Sequence, residues 1–544
     1  MKKFAKVLMA ALMAVSLTAC GGNEIKNDEK TFIYAVGGEP EYLDPAVGND
    51  SVTSYVTNQS HYPLVRIDET GNVVREAAKD IVQGRNDKGQ MTYTVTLIDG
   101  LKWSNGDAVT AEHFEYGAKR SIGLGAADSY YSYFIFNFVE NAKKHSDNMS
   151  DVAKMEDVGI NATDDKTLVF TLENDCPYFE QLLAAGVFYA AHPSYYKEHD
   201  KTWADTVGYP VTGAFIPTKI DRSFEVVFEK NPNFIHADKV NAEKLVAKIM
   251  SDMDAQNIAF KNGTIDMATS VNTSVQKEYT KDTGLLVSTS IINYFILLDS
   301  YDKECPALQD VEIRKAISAG IDRAKVTSAL DAGDVYYALN GFVPKGFPGA
   351  DSTKDFRAEG GDLVKTDKAA AKATMEAKGY TAEKPLVLEY YYNASALHDT
   401  VAAVLKEELK SINVDLQLKT GEVRTFFDDR DNGLFQMARH AMSADYMDTT
   451  SYLDMPLKSN QKAYQSWGDD TYDKLCAEAA KLSGAERINK LHEAEKYLVE
   501  TMAYCVPLFQ YDQVSLLAPG ITGQMTSPQA NFTFWYVSEP APAK

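Results

Sequence analysis

Between Ala438 and Asp448 the chain reads ARHAMSADYMD, which sets Arg439, His440, Asp445 and Asp448 in one short run. A guanidinium and two carboxylates so close could hold the positive and negative ends of one small molecule, since hydrogen bonds to charged groups are the strong ones. The plainer reading is a strand that ends in a solvated polar turn. Catalytic motifs are scarce elsewhere. There is no G-x-S-x-G elbow, no H-E-x-x-H and no G-x-x-x-x-G-K-[ST]. GLGAAD from Gly123 carries two glycines of a dinucleotide fingerprint and lacks the third. The nine histidines are scattered, with His192 and His199 seven positions apart, and no C-x-x-C exists. The adjacent pairs Asp164–Asp165 and Asp428–Asp429 read as turn charges. Tyrosine is abundant, at 31 residues against 4 Trp, and clusters in DSYYSYFIF, FYAAHPSYY and EYYYN. A broad apolar face with one polar tip suits a ligand-lined cleft. These features favour a binding module over an enzyme, with no cofactor and no metal expected.

The elements that must position the run can be read around it. PLVLEYYYN predicts a strand, and SALHDTVAAVLKEELKSI a helix with Leu397, Val401, Val404, Leu405, Leu409 and Ile412 at helical spacing. Ser395 is the expected N-cap and Asn413 the stop. VDLQLK is the next strand, so the order implies a parallel pair with a crossover helix. GLFQMARH follows as a strand, which places Asp445 just beyond its C-terminal end, where open α/β sheets form ligand crevices. TFIYAVGG, MTYTVTLIDG, TLVFTLEN, FEVVFEKN and VPLFQYDQVSLLA read as further strands, the second leading into a hairpin past Gly100. DKLCAEAAKLSG and ERINKLHEAEKYLVETM predict a helical hairpin broken at Gly484.

At 544 residues the chain expects two or three domains, and 45% apolar content expects a sizeable core. A net charge of −22 argues against nucleic acid as a partner. Lys2, Lys3 and Lys6 precede the apolar run VLMAALMAVSLTA, which is too short to span a bilayer. That run leads into LTAC-GGN, which resembles a bacterial lipobox with Cys20 as the lipidated residue. Residues 1–19 are therefore expected to be a signal peptide and 20–30 a lipidated tether. Two acyl chains meet the two-signal requirement for stable anchoring, so the body should stand on the outer face of the cell membrane (in the periplasm where an outer membrane exists). Cys176, Cys305, Cys476 and Cys505 remain open between disulfides and buried thiols.

Several segments, in order, resemble the family 5 extracellular solute-binding proteins, the oligopeptide- and dipeptide-binding components of ABC importers. They are GGEPEYLDPA (Glu39, Pro40, Leu43, Asp44, Pro45), LKWSNGDAVTAEHF, VTGAFIPTKI with Asn231–Pro232, AFKNGTIDMA, DVEIRKAISAGIDR and ADYMD. Departures are Asn105 and His113 where Asp is usual, Ala214–Phe215 for Pro-Tyr, Met442 for Trp, Thr449 for Pro and Asp299 for Asn. The resemblance implies an α/β, two-lobed class II periplasmic-binding-protein-like fold with a third, inserted subdomain. Lobe I would comprise 31–70, 195–296 and 513–544, the insertion 71–194 and lobe II 297–512. It implies an oligopeptide enclosed between closing lobes, delivery to a membrane permease with its ATPase, and a monomer. It further implies that Asp445 holds the ligand ammonium and Arg439 its carboxylate. Met442 and Tyr446 would sit beside them, Tyr294 at the ligand backbone, and Tyr130 would be a ligand contact from the inserted subdomain. The same fold could instead hold a peptide pheromone, nickel chelate, haem or sugar.

Overall fold

The computed structural model describes residues 30–538 apart from 49, 147–151, 197–202, 331–334, 352, 464–465 and 530. The expected signal peptide, Cys20 and the tether up to residue 29 lie outside the described residues. Among the described residues, no helix is long and apolar enough to cross a membrane.

Eleven strands form one sheet that runs through both halves of the molecule. One half contains the parallel strands Leu386–Asn393 and Val414–Gly421, in register from Leu386 opposite Val414, with Met437–Ser443 parallel on the other side of Leu386–Asn393. The crossover helix is Ala396–Lys410, and the Ser395 side chain caps it by accepting from the His398 N–H. Asn413 returns the chain with φ 63, a left-handed conformation that Asn tolerates better than other residues with a side chain. The parallel unit is therefore the one the apolar spacing predicts. The other half holds Thr31–Val36 parallel to Lys244–Ile249, followed outward by Glu225–Lys230 and Phe215–Asp221.

Two long strands join the halves. Leu285–Leu298 and Cys505–Leu517 pair antiparallel, with register shifts between Ser288 and Ile292 and between Tyr294 and Phe295. Alternate residues of the first feed opposite cores. Phe295 and Leu297 pack on one side, and Tyr294, Ile296 and Leu298 face the crossover helix on the other. Burial on both faces accounts for the unbroken apolar segments Tyr294–Leu298 and Val506–Phe509 within these strands.

A separate four-stranded antiparallel sheet is built from residues 78–85, 91–97, 160–164 and 167–171. In Met91–Leu97 burial alternates strictly, with Tyr93, Val95 and Leu97 inward, as the pattern predicts. The expected hairpin follows as a bridge from Lys102 to Ala108. GLGAAD falls inside the helix Ala111–Asp128, which Gly125 interrupts at φ 73. A dinucleotide fingerprint must instead sit between a strand and a helix. The C-terminal helical hairpin is Asp470–Ala479 and Gly484–Lys496. Cys176, Cys305, Cys476 and Cys505 are all buried free thiols.

Candidate functional site

The strand Met437–Ser443 ends two residues short of Asp445, so that carboxylate leaves the sheet at its C-terminal edge. It lines a cavity of about 390 Å³ between the two halves, within the usual range for small-molecule sites. The helix Ser51–Thr57, the strand Val65–Ile67 and parts of residues 181–189, 443–446, 525–529 and 531–535 supply much of the wall, with His61, Tyr131 and Phe134. The Asp445 N–H donates to Ser451 Oγ at 2.8 Å, which fixes the turn. Its carboxylate accepts from the Tyr133 hydroxyl at 2.7 Å and from the Tyr131 hydroxyl. Burial pushes its pKa up to about 6, and the two tyrosine bonds pull the other way. No cationic side chain acts on it among the described residues.

The other charges of the run go elsewhere. Asp448 is held bidentately by Arg487, at 2.7 and 2.8 Å. His440 is buried and stacks on Phe295 at 4.8 Å, and burial keeps its pKa well down. Arg439 lies outside the cavity lining. It is 7% exposed, donates to Asn393 Oδ1, and stands over the rings of Phe426 and Phe427 at 4.9 and 5.2 Å. Its Nε has no hydrogen-bond partner. Among the described residues it forms no ion pair with a carboxylate, and burial lowers its pKa. The run thus carries one anion and one cation that no charged group among the described residues neutralises.

Tyr446 is buried and lines the cavity, stacked on Tyr178 at 4.8 Å and 6°. Met442 pairs with Asn293 across the sheet and is half-buried against the core, outside the lining. Tyr294 is 1% exposed, stacks on Phe509 at 4.7 Å and bonds His398 Nδ1 through its hydroxyl at 3.1 Å. It too lies away from the cavity. Tyr130 is 52% exposed. Its neighbours Tyr131 and Tyr133 are the ones that reach Asp445, because the chain turns tightly at Tyr130–Ser132 and then starts the short helix Tyr133–Phe136. The tyrosine run signals the region but not which rings face inward. His61, 1% exposed on the cavity wall, is a further participant that carries no signal in the sequence. No group of three or more His, Cys, Asp or Glu among the described residues could hold a metal.

Known proteins resemble the whole chain. The family model for bacterial extracellular solute-binding proteins, family 5 middle region, matches residues 73–464. The dipeptide-binding protein DppE of Bacillus subtilis is 27% identical over 96% of this chain and 95% of its own length. The oligopeptide-binding protein OppA of the same organism is 27% identical over 94% of each chain. The solved structure of the murein tripeptide binding protein MppA of Escherichia coli superposes with a TM-score of 0.77 at 23% identity. That match covers 95% of this chain and 99% of MppA.

Proposed function

Because the chain belongs to the bacterial extracellular solute-binding proteins of family 5, we propose that it captures oligopeptides between two closing lobes and delivers them to the permease of an ABC importer. The observation that carries this reading is Asp445, a carboxylate on a cavity wall with two tyrosine hydroxyls and no cation. A broad-range peptide binder must grip what all peptides share, and the terminal ammonium is one such group. A charge-assisted bond in a closed cleft is stronger than the same pair in water.

Arg439 takes the carboxylate end in this reading, supported by its missing anionic partner and its unbonded Nε. Tyr446 closes the ammonium end beside Asp445, and Tyr294 and Met442 support the strands behind the site. Lobe I is assigned to 31–70, 195–296 and 513–544, its insertion to 71–194 and lobe II to 297–512. The irregular pairing of the two joining strands near Ser288 and Ile292 supports a hinge there. The protein acts as a monomer without enzymatic turnover, anchored outside the cytoplasm by lipid on Cys20. Its permease and ATPase are separate chains.

Isothermal titration with Ala-Ala-Ala and N-acetyl-Ala-Ala-Ala tests the clamp. The free peptide is expected to bind at least tenfold more tightly, with the difference abolished in Asp445→Ala. Equal affinity for the two peptides overturns the assignment of Asp445.

A further inference from the structure

The cavity wall beside Asp445 is rich in lone pairs. His61 stacks on Tyr189 at 5.8 Å, and its Nδ1 lies 3.0 Å from the Thr57 carbonyl oxygen. That oxygen can only accept, so Nδ1 carries the proton. Burial holds the ring's pKa below its ordinary value, which leaves it neutral. Nε2 is then a bare acceptor, and among the described residues no protein group bonds it. Gln529 Oε1 and Ser527 Oγ, on the same wall, also lack partners. Asp50 adds a carboxylate whose bonds run to the Thr53 N–H and hydroxyl at 2.8 and 2.7 Å. The arginine on this wall, Arg66, is engaged by Glu76 at 3.0 Å. Among the described residues the wall thus holds buried polar atoms without hydrogen bonds, on His61, Ser527 and Gln529, beside the exposed Asp50 carboxylate, with its cation already paired.

We propose that this cavity receives a basic side chain at the ligand's first position, an ammonium or guanidinium set against His61, Gln529 and Asp50, while Asp445 takes the α-ammonium. An apolar side chain would leave the His61 acceptor buried and unmet. An acidic one would face Asp445 and Asp50 with like charge. His61 and Gln529 become specificity-determining residues. The inference rests on the peptide reading above and narrows it to peptides that begin with Lys or Arg.

Titration calorimetry with Lys-Ala-Ala, norleucine-Ala-Ala, Glu-Ala-Ala and Ala-Ala-Lys tests it on the full chain. Norleucine keeps most of lysine's stem and loses its charge. Lys-Ala-Ala is expected to bind at least tenfold more tightly than norleucine-Ala-Ala, with Glu-Ala-Ala weakest and Ala-Ala-Lys gaining nothing over norleucine-Ala-Ala. His61→Phe, which keeps a stacking ring, should shrink the advantage of Lys-Ala-Ala over norleucine-Ala-Ala measured in the same variant. Gln529→Leu, a less buried position, should do the same and covers a failure of the His61 variant to fold. Equal binding of the lysine and norleucine peptides overturns the proposal, as does an equal gain from Ala-Ala-Lys or an advantage unchanged in the folded variants. If none of the four peptides binds, the peptide reading itself fails. If all bind alike, only the specificity is lost.

Discussion

Asp445 shows what one residue must give up to stay available. A carboxylate paired with a cation has its pKa drawn below the ordinary range near 3.9, whereas this one is pushed up to about 6 by burial. The sign of the linkage follows. Between about pH 4 and 6 the folded form holds a proton that the unfolded chain has released, so stability declines as pH rises through that window. Above it the charged group remains a standing cost of about 3 kcal/mol. Asp445→Asn keeps the shape and removes the charge, so it should raise the unfolding free energy at pH 7 by up to about that amount and flatten its pH dependence between 4 and 6. In the parent protein, affinity for an ammonium-bearing peptide should fall as pH drops below about 6, because the carboxyl is then neutral. Denaturant titrations at several pH values, alongside calorimetry, check both. A pH profile identical in the two proteins would refute the assignment. Asp445 and Arg439 could be singled out in the sequence through their family resemblance and their position at a strand end. Tyr133 could not, because it lies 312 residues away and meets the carboxylate only through tertiary folding.

At the scale of elements, what is legible is what is local. The strand–helix–strand unit declares itself because cap, apolar stripe and stop all lie within one segment, Ser395 to Asn413. Of the two joining strands, Cys505–Leu517 is recognisable from VPLFQYDQVSLLA, whereas Leu285–Leu298 is not among the strands expected from the sequence. Their pairing is not legible either, since Leu285–Leu298 meets Cys505–Leu517 across more than two hundred residues of intervening chain. Nor does the sequence show where that pairing breaks. At the break, Asp512 accepts from the Ser290 N–H and from the Tyr337 hydroxyl, each at 2.9 Å, and Gln510 Nε2 donates to the Ser290 carbonyl at 3.0 Å. These side chains replace ladder bonds that the irregular register cannot form. Asp512→Ala would strand the buried Ser290 N–H and should cost about 1–3 kcal/mol of stability by chemical denaturation. Asp512→Asn retains an acceptor and should cost less. Equal, negligible losses would mean that water satisfies the break as well as Asp512 does.

The whole molecule depends on how the two halves are held together. Protein groups alone already bridge them around the site. Tyr133 donates to Asp445, Tyr178 stacks on Tyr446, and the Met447 N–H donates to Gln181 Oε1 at 2.9 Å. A ligand can shift an open–closed equilibrium only by the contacts that it makes better in one state than in the other. The bridging contacts therefore set the starting point from which a peptide acts. An aromatic pair contributes about 0.5–1.5 kcal/mol beyond its area, which corresponds to a change of about two- to tenfold in the closed-to-open ratio. Tyr178→Ala removes the ring from the insertion side and leaves Asp445, Arg439 and His61 in place. Small-angle scattering without added peptide should then give a larger radius of gyration for the variant than for the parent protein. Saturating Lys-Ala-Ala should bring the two to the same value, with the variant binding about two- to tenfold more weakly because the peptide must now supply the lost closure energy. A variant with the parent's dimensions and affinity would show that the tyrosine stack merely accompanies closure. Enlarged dimensions that persist at saturation would show that the stack, rather than the ligand, holds the lobes shut.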